Sequence, residues 1–200
     1  MLSSKLFSWQ KKNKEHATCK NKKNEELIQE LRFEGITDEK ILMAIRKIPR
    51  ELFTDKLDEA YENKALSVEC GQTLTQPFCT AYMASFLNLR KTDDILDIGC
   101  GVGWSTAVIS KLLKTVFTME RFKKLLDIAK KNIAKLKIKN VQFKLGNGFE
   151  GWGDKTLFDA ITIGASSEIL PAKLEIRIDG IPSKDASTLM LWLSLINMEE

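Results

Sequence analysis

The period of the apolar positions changes near residue 92, and the change divides the chain. Before it the spacing is helical. Leu27, Ile28 and Leu31 share one face and Gly35 follows as a C′ residue, so a helix is predicted over 25–34. Thr37 stands where an N-cap is needed for a second helix. Asp38 and Glu39 fall in its first turn, where acids complement the helix dipole. Ile41, Leu42, Ile45 and Ile48 form its apolar face, and Pro49 ends it. Residues 61–80 have no clear period and contain Gly71 and Pro77, so they read as a loop rich in hydroxyls and amides. Beyond 92, short apolar runs alternate with amphipathic stretches. Strands are predicted at 95–98, 115–119, 141–145 and 160–163, and helices at 105–114 and 123–136. The second of these helices carries Leu126, Ala129, Ile133 and Leu136 on one side. Such alternation argues for an α/β domain with a parallel central sheet, preceded by a small helical subdomain. A late apolar run over 189–196 fits a buried strand or a short helix.

Composition narrows the class. With 200 residues, 44% apolar and 29% charged, the chain suits one soluble globular domain. No apolar run approaches the roughly 18–20 residues that span a bilayer. The net charge of +4 is unevenly placed: residues 1–24 hold seven lysines and one acid, which leaves the remainder at −2. The basic balance therefore describes a tail expected to be disordered, not a face for nucleic acid. A membrane-surface anchor is the rival reading of that tail, because Leu2, Leu6 and Trp9 can share a helical face. The four cysteines include no C-x-x-C pair, and the only histidine, His16, lies in the tail. No metal site and no histidine triad is expected, and the thiols read as reduced, in the cytoplasm.

The chemistry-bearing feature is Asp97-Ile98-Gly99-Cys100-Gly101-Val102-Gly103, three glycines at alternate positions after a strand and before a helix. Residues without Cβ let a ligand lie against the backbone. A dinucleotide fold wants G-x-G-x-x-G, whose third glycine falls at Trp104, so the spacing favours a cofactor of another class. Glu120 closes the following strand, where a carboxylate can accept from both ribose hydroxyls. Ligand-free readings stay open at this level: a tight strand-to-helix turn for the glycines, turn capping for Asp97, a surface carboxylate beside Arg121 for Glu120.

The order of segments resembles the protein-L-isoaspartate methyltransferase family over 25–171. It is carried by I-R-K-I-P-R-E-L-F at 45–53, A-Y-E-N-K-A-L-S-V at 60–68, G-Q-T-L-T-Q-P at 71–77, D-I-G-C-G-V-G-W at 97–104, T-M-E-R at 118–121, L-G-N-G-F-E-G-W at 145–152 and F-D-A-I-T-I-G-A at 158–165. The segment at 71–77 is the most diagnostic. The resemblance implies a Rossmann-like class I methyltransferase fold divided into a basic tail (1–24), a helical subdomain with a substrate loop (25–80) and a cofactor-binding α/β domain (81–200). It implies S-adenosylmethionine as cofactor, isoaspartyl-containing proteins and peptides as substrates, a monomer, and no nucleic acid or membrane partner. Thr75 would be the catalytic position, a hydroxyl that orients the reacting carboxylate where the family has serine. Gln72 and Thr73 would close over the cofactor, and Asp97, Gly99, Gly101, Gly103 and Glu120 would hold its methionine end and ribose. Asn147, with Gly148, stands where the family has an aspartate that accepts from the adenine amino group; an amide oxygen can still accept.

The pattern departs from the family after residues 171–174. From about 172 the glycine pair and closing strands are replaced by E-I-R-I-D-G-I-P-S-K-D-A-S-T-L-M-L-W-L-S-L-I, so the C-terminal strands are expected to be divergent or incomplete. This keeps two alternatives open: a methyltransferase with another acceptor, and a degenerate paralogue that only binds cofactor or a partner.

Overall fold

A computed structural model describes residues 21–153 and 157–164. Of the tail expected to be disordered over 1–24, residues 1–20 lie outside the described residues, as do the divergent end from 172 and the apolar run at 189–196, whereas residues 21–24 are helical.

The N-terminal part is built by two helices, α1 over 21–33 and α2 at Glu39–Lys47. α1 is helical from 21, earlier than the apolar pattern indicates, and Asn24 donates through Nδ2 to the Arg46 carbonyl at 2.8 Å. The N-cap of α2 is Asp38 rather than Thr37: Asp38 has extended φ/ψ and its Oδ1 accepts from Lys40 N at 2.7 Å. Either residue type caps well, and the one whose side chain reaches the free amides decides the boundary. Buried Ile41, Leu42, Ala44 and Ile45 form the inner face of α2.

The stretch 61–80, expected to be a loop, holds two elements. Leu66–Ser67 (β1) and Thr73–Leu74 (β2) pair antiparallel as Leu66↔Leu74 and Ser67↔Thr73, around a 3-10 turn at Glu69–Gly71. Helix α3 then covers Pro77–Phe86. Pro77 is not loop punctuation here. It sits in the first turn, where a missing N–H costs nothing.

The main sheet has four parallel strands in the order β5-β4-β3-β6: Asp94–Ile98 (β3), Thr115–Glu120 (β4), Val141–Leu145 (β5) and Ala160–Ile163 (β6). Helix α4 (Trp104–Ile109) joins β3 to β4, and α5 (Lys123–Lys135) joins β4 to β5. α4 stops well short of the expected 105–114. The Ser110 hydroxyl donates to the Ala107 carbonyl, and such back-bonding competes with helix continuation. The chain moves outward from β3 to β5 and then returns to the other side of β3. That reversal makes the carboxyl ends of β3 and β6 a switch point, where open α/β sheets bind ligands.

Side chains alternate across β3. Ile95 packs with Ile109, Leu113 and Val116, whereas Leu96 and Ile98 meet Phe117, Met119, Trp152 and Phe158 on the opposite side. The N-terminal helices are continuous with the α/β part: Leu27, Ile28, Leu42 and Ile45 belong to the same buried cluster as Val102, Trp104, Ala107 and Leu125. No helix among the described residues is long and apolar enough to cross a membrane.

Candidate active site

β3 delivers the chain to the switch point, where Gly99 N and Cys100 N both donate to the Met119 carbonyl, at 2.8 and 3.4 Å. Gly99, Gly101 and Gly103 follow with φ of +86°, +54° and +95°. This left-handed backbone at alternate residues is the physical reason for the G-x-G-x-G spacing. Gly103 also needs its lack of a side chain for packing. A Cβ there would stand 3.0 Å from Ala129 Cβ and 3.2 Å from its Cα, so glycine lets the start of α4 lie on α5.

Glu120 ends β4 almost fully buried and faces the loop. Its Oε2 accepts from Gly101 N at 3.0 Å and its Oε1 from Phe122 N at 2.9 Å. One bond to each oxygen leaves each a further acceptor position. The reading of Glu120 as a surface carboxylate is excluded by its 5% exposure.

Asp97 is differently placed. Its Oδ2 accepts from Thr106 Oγ1 at 2.6 Å and Thr118 Oγ1 at 2.9 Å, and its Oδ1 from Thr162 Oγ1 at 2.8 Å. Three hydroxyls, from α4, β4 and β6, thus converge on a carboxylate that is 4% exposed. A buried charge is tolerable only when hydrogen-bonded in this way. Asp97 therefore ties the end of β3 to α4, β4 and β6. The three threonines escaped the sequence reading because each looks like an ordinary β-branched residue in an apolar stretch.

The 71–77 segment lies over the glycine turn. The position of a Gly101 Cβ would be 4.0 Å from the Thr73 carbonyl oxygen, so the two loops lie close together. Gln72 and Thr73 are exposed on the hairpin, Leu74 is buried, and Thr75 is half-buried with its carbonyl accepting from Arg50 Nη2 at 2.9 Å. Lys124 of α5 reaches the hairpin tip through a 2.7 Å ion pair with Glu69. That ionic hydrogen bond raises the lysine's pKa.

A third loop follows β5. A Cβ at Gly148 would stand 2.2 Å from Ile98 Cγ2, so only glycine allows the loop to close on the end of β3. Asn147 precedes it, exposed, with its carbonyl accepting from Glu150 N at 3.0 Å. Lys144 holds the far side of this loop, donating to the Trp152 carbonyl at 2.9 Å.

Thus Glu120 and the Thr73 carbonyl lie close to Gly101 of the glycine turn, and Gly148 lies against Ile98 at the end of β3. Arg50, which the sequence reading did not single out, is fully buried and binds the Thr75 carbonyl. Cys100 is also buried, which pushes its thiol pKa up, with Asp97 and Glu120 adding to the effect. A thiol held protonated is a packing group and not a nucleophile. Among the described residues no group of three His, Cys, Asp or Glu is placed to hold a metal ion.

A parallel sheet with a glycine turn at its switch point and a buried acid ending the next strand defines the class: a Rossmann-like methyltransferase. The family model for protein-L-isoaspartate(D-aspartate) O-methyltransferase matches residues 21–179. Protein-L-isoaspartate O-methyltransferases from Parvibaculum lavamentivorans and Serratia proteamaculans are 41% and 42% identical, over 74% and 80% of this chain and 68% and 78% of theirs. A solved protein-L-isoaspartate O-methyltransferase superposes with a TM-score of 0.69 at 31% identity, covering 75% of this chain and 50% of that one. A Plasmodium falciparum protein solved in complex with S-adenosyl-L-homocysteine shares the fold, with a TM-score of 0.64 at 24% identity over 74% of this chain and 76% of that one. The chain belongs to the protein-L-isoaspartate(D-aspartate) O-methyltransferase family.

Proposed function

We propose that the chain transfers the methyl group of S-adenosylmethionine to the free α-carboxylate that an isoaspartyl residue presents in damaged proteins and peptides. The carrying observation is the closeness of Gly101 to the Thr73 carbonyl, which brings the family's most diagnostic loop beside the glycine turn. The residues suit the cofactor: Glu120 keeps acceptor capacity for two ribose hydroxyls, and the glycine backbone presents no Cβ to a ligand lying on it. Gly99, Gly101 and Gly103 would take the methionine end, supported from below by Asp97. Asn147 and Gly148 would border the adenine, and Gln72 and Thr73 would close the exposed side.

Bound there, S-adenosylmethionine supplies a methyl group on a positively charged sulfur that is a good leaving group. The protein's own tasks are then positional. An acceptor carboxylate is ionised near neutral pH, so no general base is required of a chain whose only histidine is His16. Thr75 would donate its hydroxyl to one carboxylate oxygen and leave the other facing the methyl. Closing the 71–77 loop would exclude water from that oxygen and hold it in near-attack geometry. The product ester closes to a succinimide with loss of methanol, and water reopens the ring partly to normal aspartate, which makes the activity a repair reaction. We place it in the cytoplasm, performed by a monomer without nucleic acid or membrane.

The test is incubation with methyl-labelled S-adenosylmethionine and an isoaspartyl peptide. Base-labile label on the peptide is expected. Label no higher than on the matched aspartyl peptide rejects the proposal.

A further inference from the structure

We infer that Arg50 is a positioning residue that sets the Thr75 loop against the cofactor loop. The inference rests on the methyl-transfer reading above and extends it to a side chain outside the pocket.

Arg50 follows the proline that ends α2 and opens a 3-10 turn at Arg50–Phe53. Its side chain is fully buried. Nη1 donates to the Ala60 carbonyl at 3.0 Å and, weakly, to that of Glu62 at 3.5 Å. Nη2 donates to the carbonyls of Lys64 at 3.1 Å and Thr75 at 2.9 Å. The guanidinium carbon lies 5.0 Å from the centre of the Trp104 ring, and Trp104 follows directly on Gly103.

Two features make this more than a core contact. The β1–β2 ladder ends at Leu66↔Leu74, and Nη2 joins Lys64 to Thr75 just beyond it. The guanidinium therefore continues the pairing where the backbone stops, and it clamps the open end of the hairpin at Thr75. Its other contact is the indole at the start of α4. One planar group thus touches both loops whose separation the reaction must fix.

The arrangement is also expensive. All four acceptors are neutral carbonyls, and burial lowers the arginine's pKa from its usual value to about 10. Its Nε is buried without an acceptor among the described residues. Buried charges of this kind add little net stability compared with apolar packing. What a guanidinium provides and an apolar side chain does not is a rigid fork with fixed donor directions. Lysine keeps the charge but offers a flexible point donor, so Arg50→Lys isolates the fork.

The experiment compares wild type with Arg50→Lys and Arg50→Gln by three readouts. In amide hydrogen exchange, both variants are expected to exchange at least about tenfold faster over 72–76 with β3 unchanged. In steady-state kinetics with an isoaspartyl peptide, KM should rise about tenfold while the S-adenosylhomocysteine dissociation constant stays within about threefold. In a double-mutant cycle, Arg50→Lys and Thr75→Val should be non-additive, because one acts through the other. Unchanged exchange at 72–76, exchange raised throughout, cofactor affinity lost in step with the peptide, or additive effects would each overturn the inference. Unfolding of both variants overturns it too, because Arg50 then serves the fold as a whole. If wild type fails to methylate the peptide, the functional reading falls, and the exchange contrast still decides whether Arg50 fixes the loop.

Discussion

At Gly148 an added Cβ would overlap Ile98 Cγ2, with only 2.2 Å between them. Gly148→Ala must therefore shift the loop after β5, at about 1–3 kcal/mol for an overpacked site. Because that loop borders the proposed adenine site, S-adenosylhomocysteine affinity should fall at least about tenfold by calorimetry. Unchanged affinity would remove Gly148 and Asn147 from the cofactor site. Asp97 makes the opposite case. Its carboxylate is occupied by the hydroxyls of Thr106, Thr118 and Thr162. Asp97→Asn loses charge-assisted bonds worth roughly 1.5–3 kcal/mol each, so a loss of at least that size is expected in urea unfolding. A variant as stable as wild type that has lost cofactor affinity would make Asp97 a direct ligand instead. The acid at the end of a strand was legible in the sequence. Its three partners were not, because they come from α4, β4 and β6 and meet only through strand register.

Among the elements, the helix start tests how closely the glycine turn is packed. With φ at +95° and a Cβ position 3.0 Å from that of Ala129, Gly103→Ala is both strained and crowded. A destabilisation of about 1–3 kcal/mol is expected from overpacking, plus backbone strain. Ala129→Gly relieves the crowding at about 1 kcal/mol of helix propensity. In denaturant melts the double variant should thus cost less than the sum of the singles, and strict additivity would contradict the α4–α5 contact. The parallel sheet, α2 and α5 were readable because their apolar faces have a clear period. α3 was not: in P-F-C-T-A-Y-M-A-S-F the apolar residues run all round, although only Pro77, Thr80, Ala81 and Ala84 are buried and Phe86 is exposed. β1 and β2 are two residues each, too short to show alternation. Arg50 and Lys124, distant in the sequence, tie that hairpin in place, and no local pattern encodes such contacts.

For the whole molecule, the buried groups predict the response to alkali. Burial raises the pKa of Cys100 and of Tyr61, the latter also through its hydrogen bond to Glu51. Each then holds its proton more tightly folded than unfolded. Their contribution is complete below the ordinary pKa values of 9.0 and 10.0 and is lost as pH rises above them. Urea midpoints should be flat from pH 7 to about 8.5 and fall from there to about 9.5, below the range where Arg50, its pKa lowered to about 10, acts in the opposite direction, and Cys100→Ala should reduce the fall. A midpoint that climbs with pH over this range would contradict the burial of both groups. The same burial should protect Cys100 from iodoacetamide in the native protein while the exposed Cys70 reacts, as peptide mapping would show.

The juxtaposition of the 71–77 loop with the glycine turn is tested most directly by a crystal structure of the protein with S-adenosylhomocysteine and an isoaspartyl peptide. The expected result places the sulfur over Gly99–Gly103 and the peptide's α-carboxylate on the Thr75 hydroxyl, with one oxygen directed at the sulfur along the line the methyl would follow. A carboxylate bound elsewhere on the surface, or a cofactor lying away from Glu120 and the glycine turn, would contradict it.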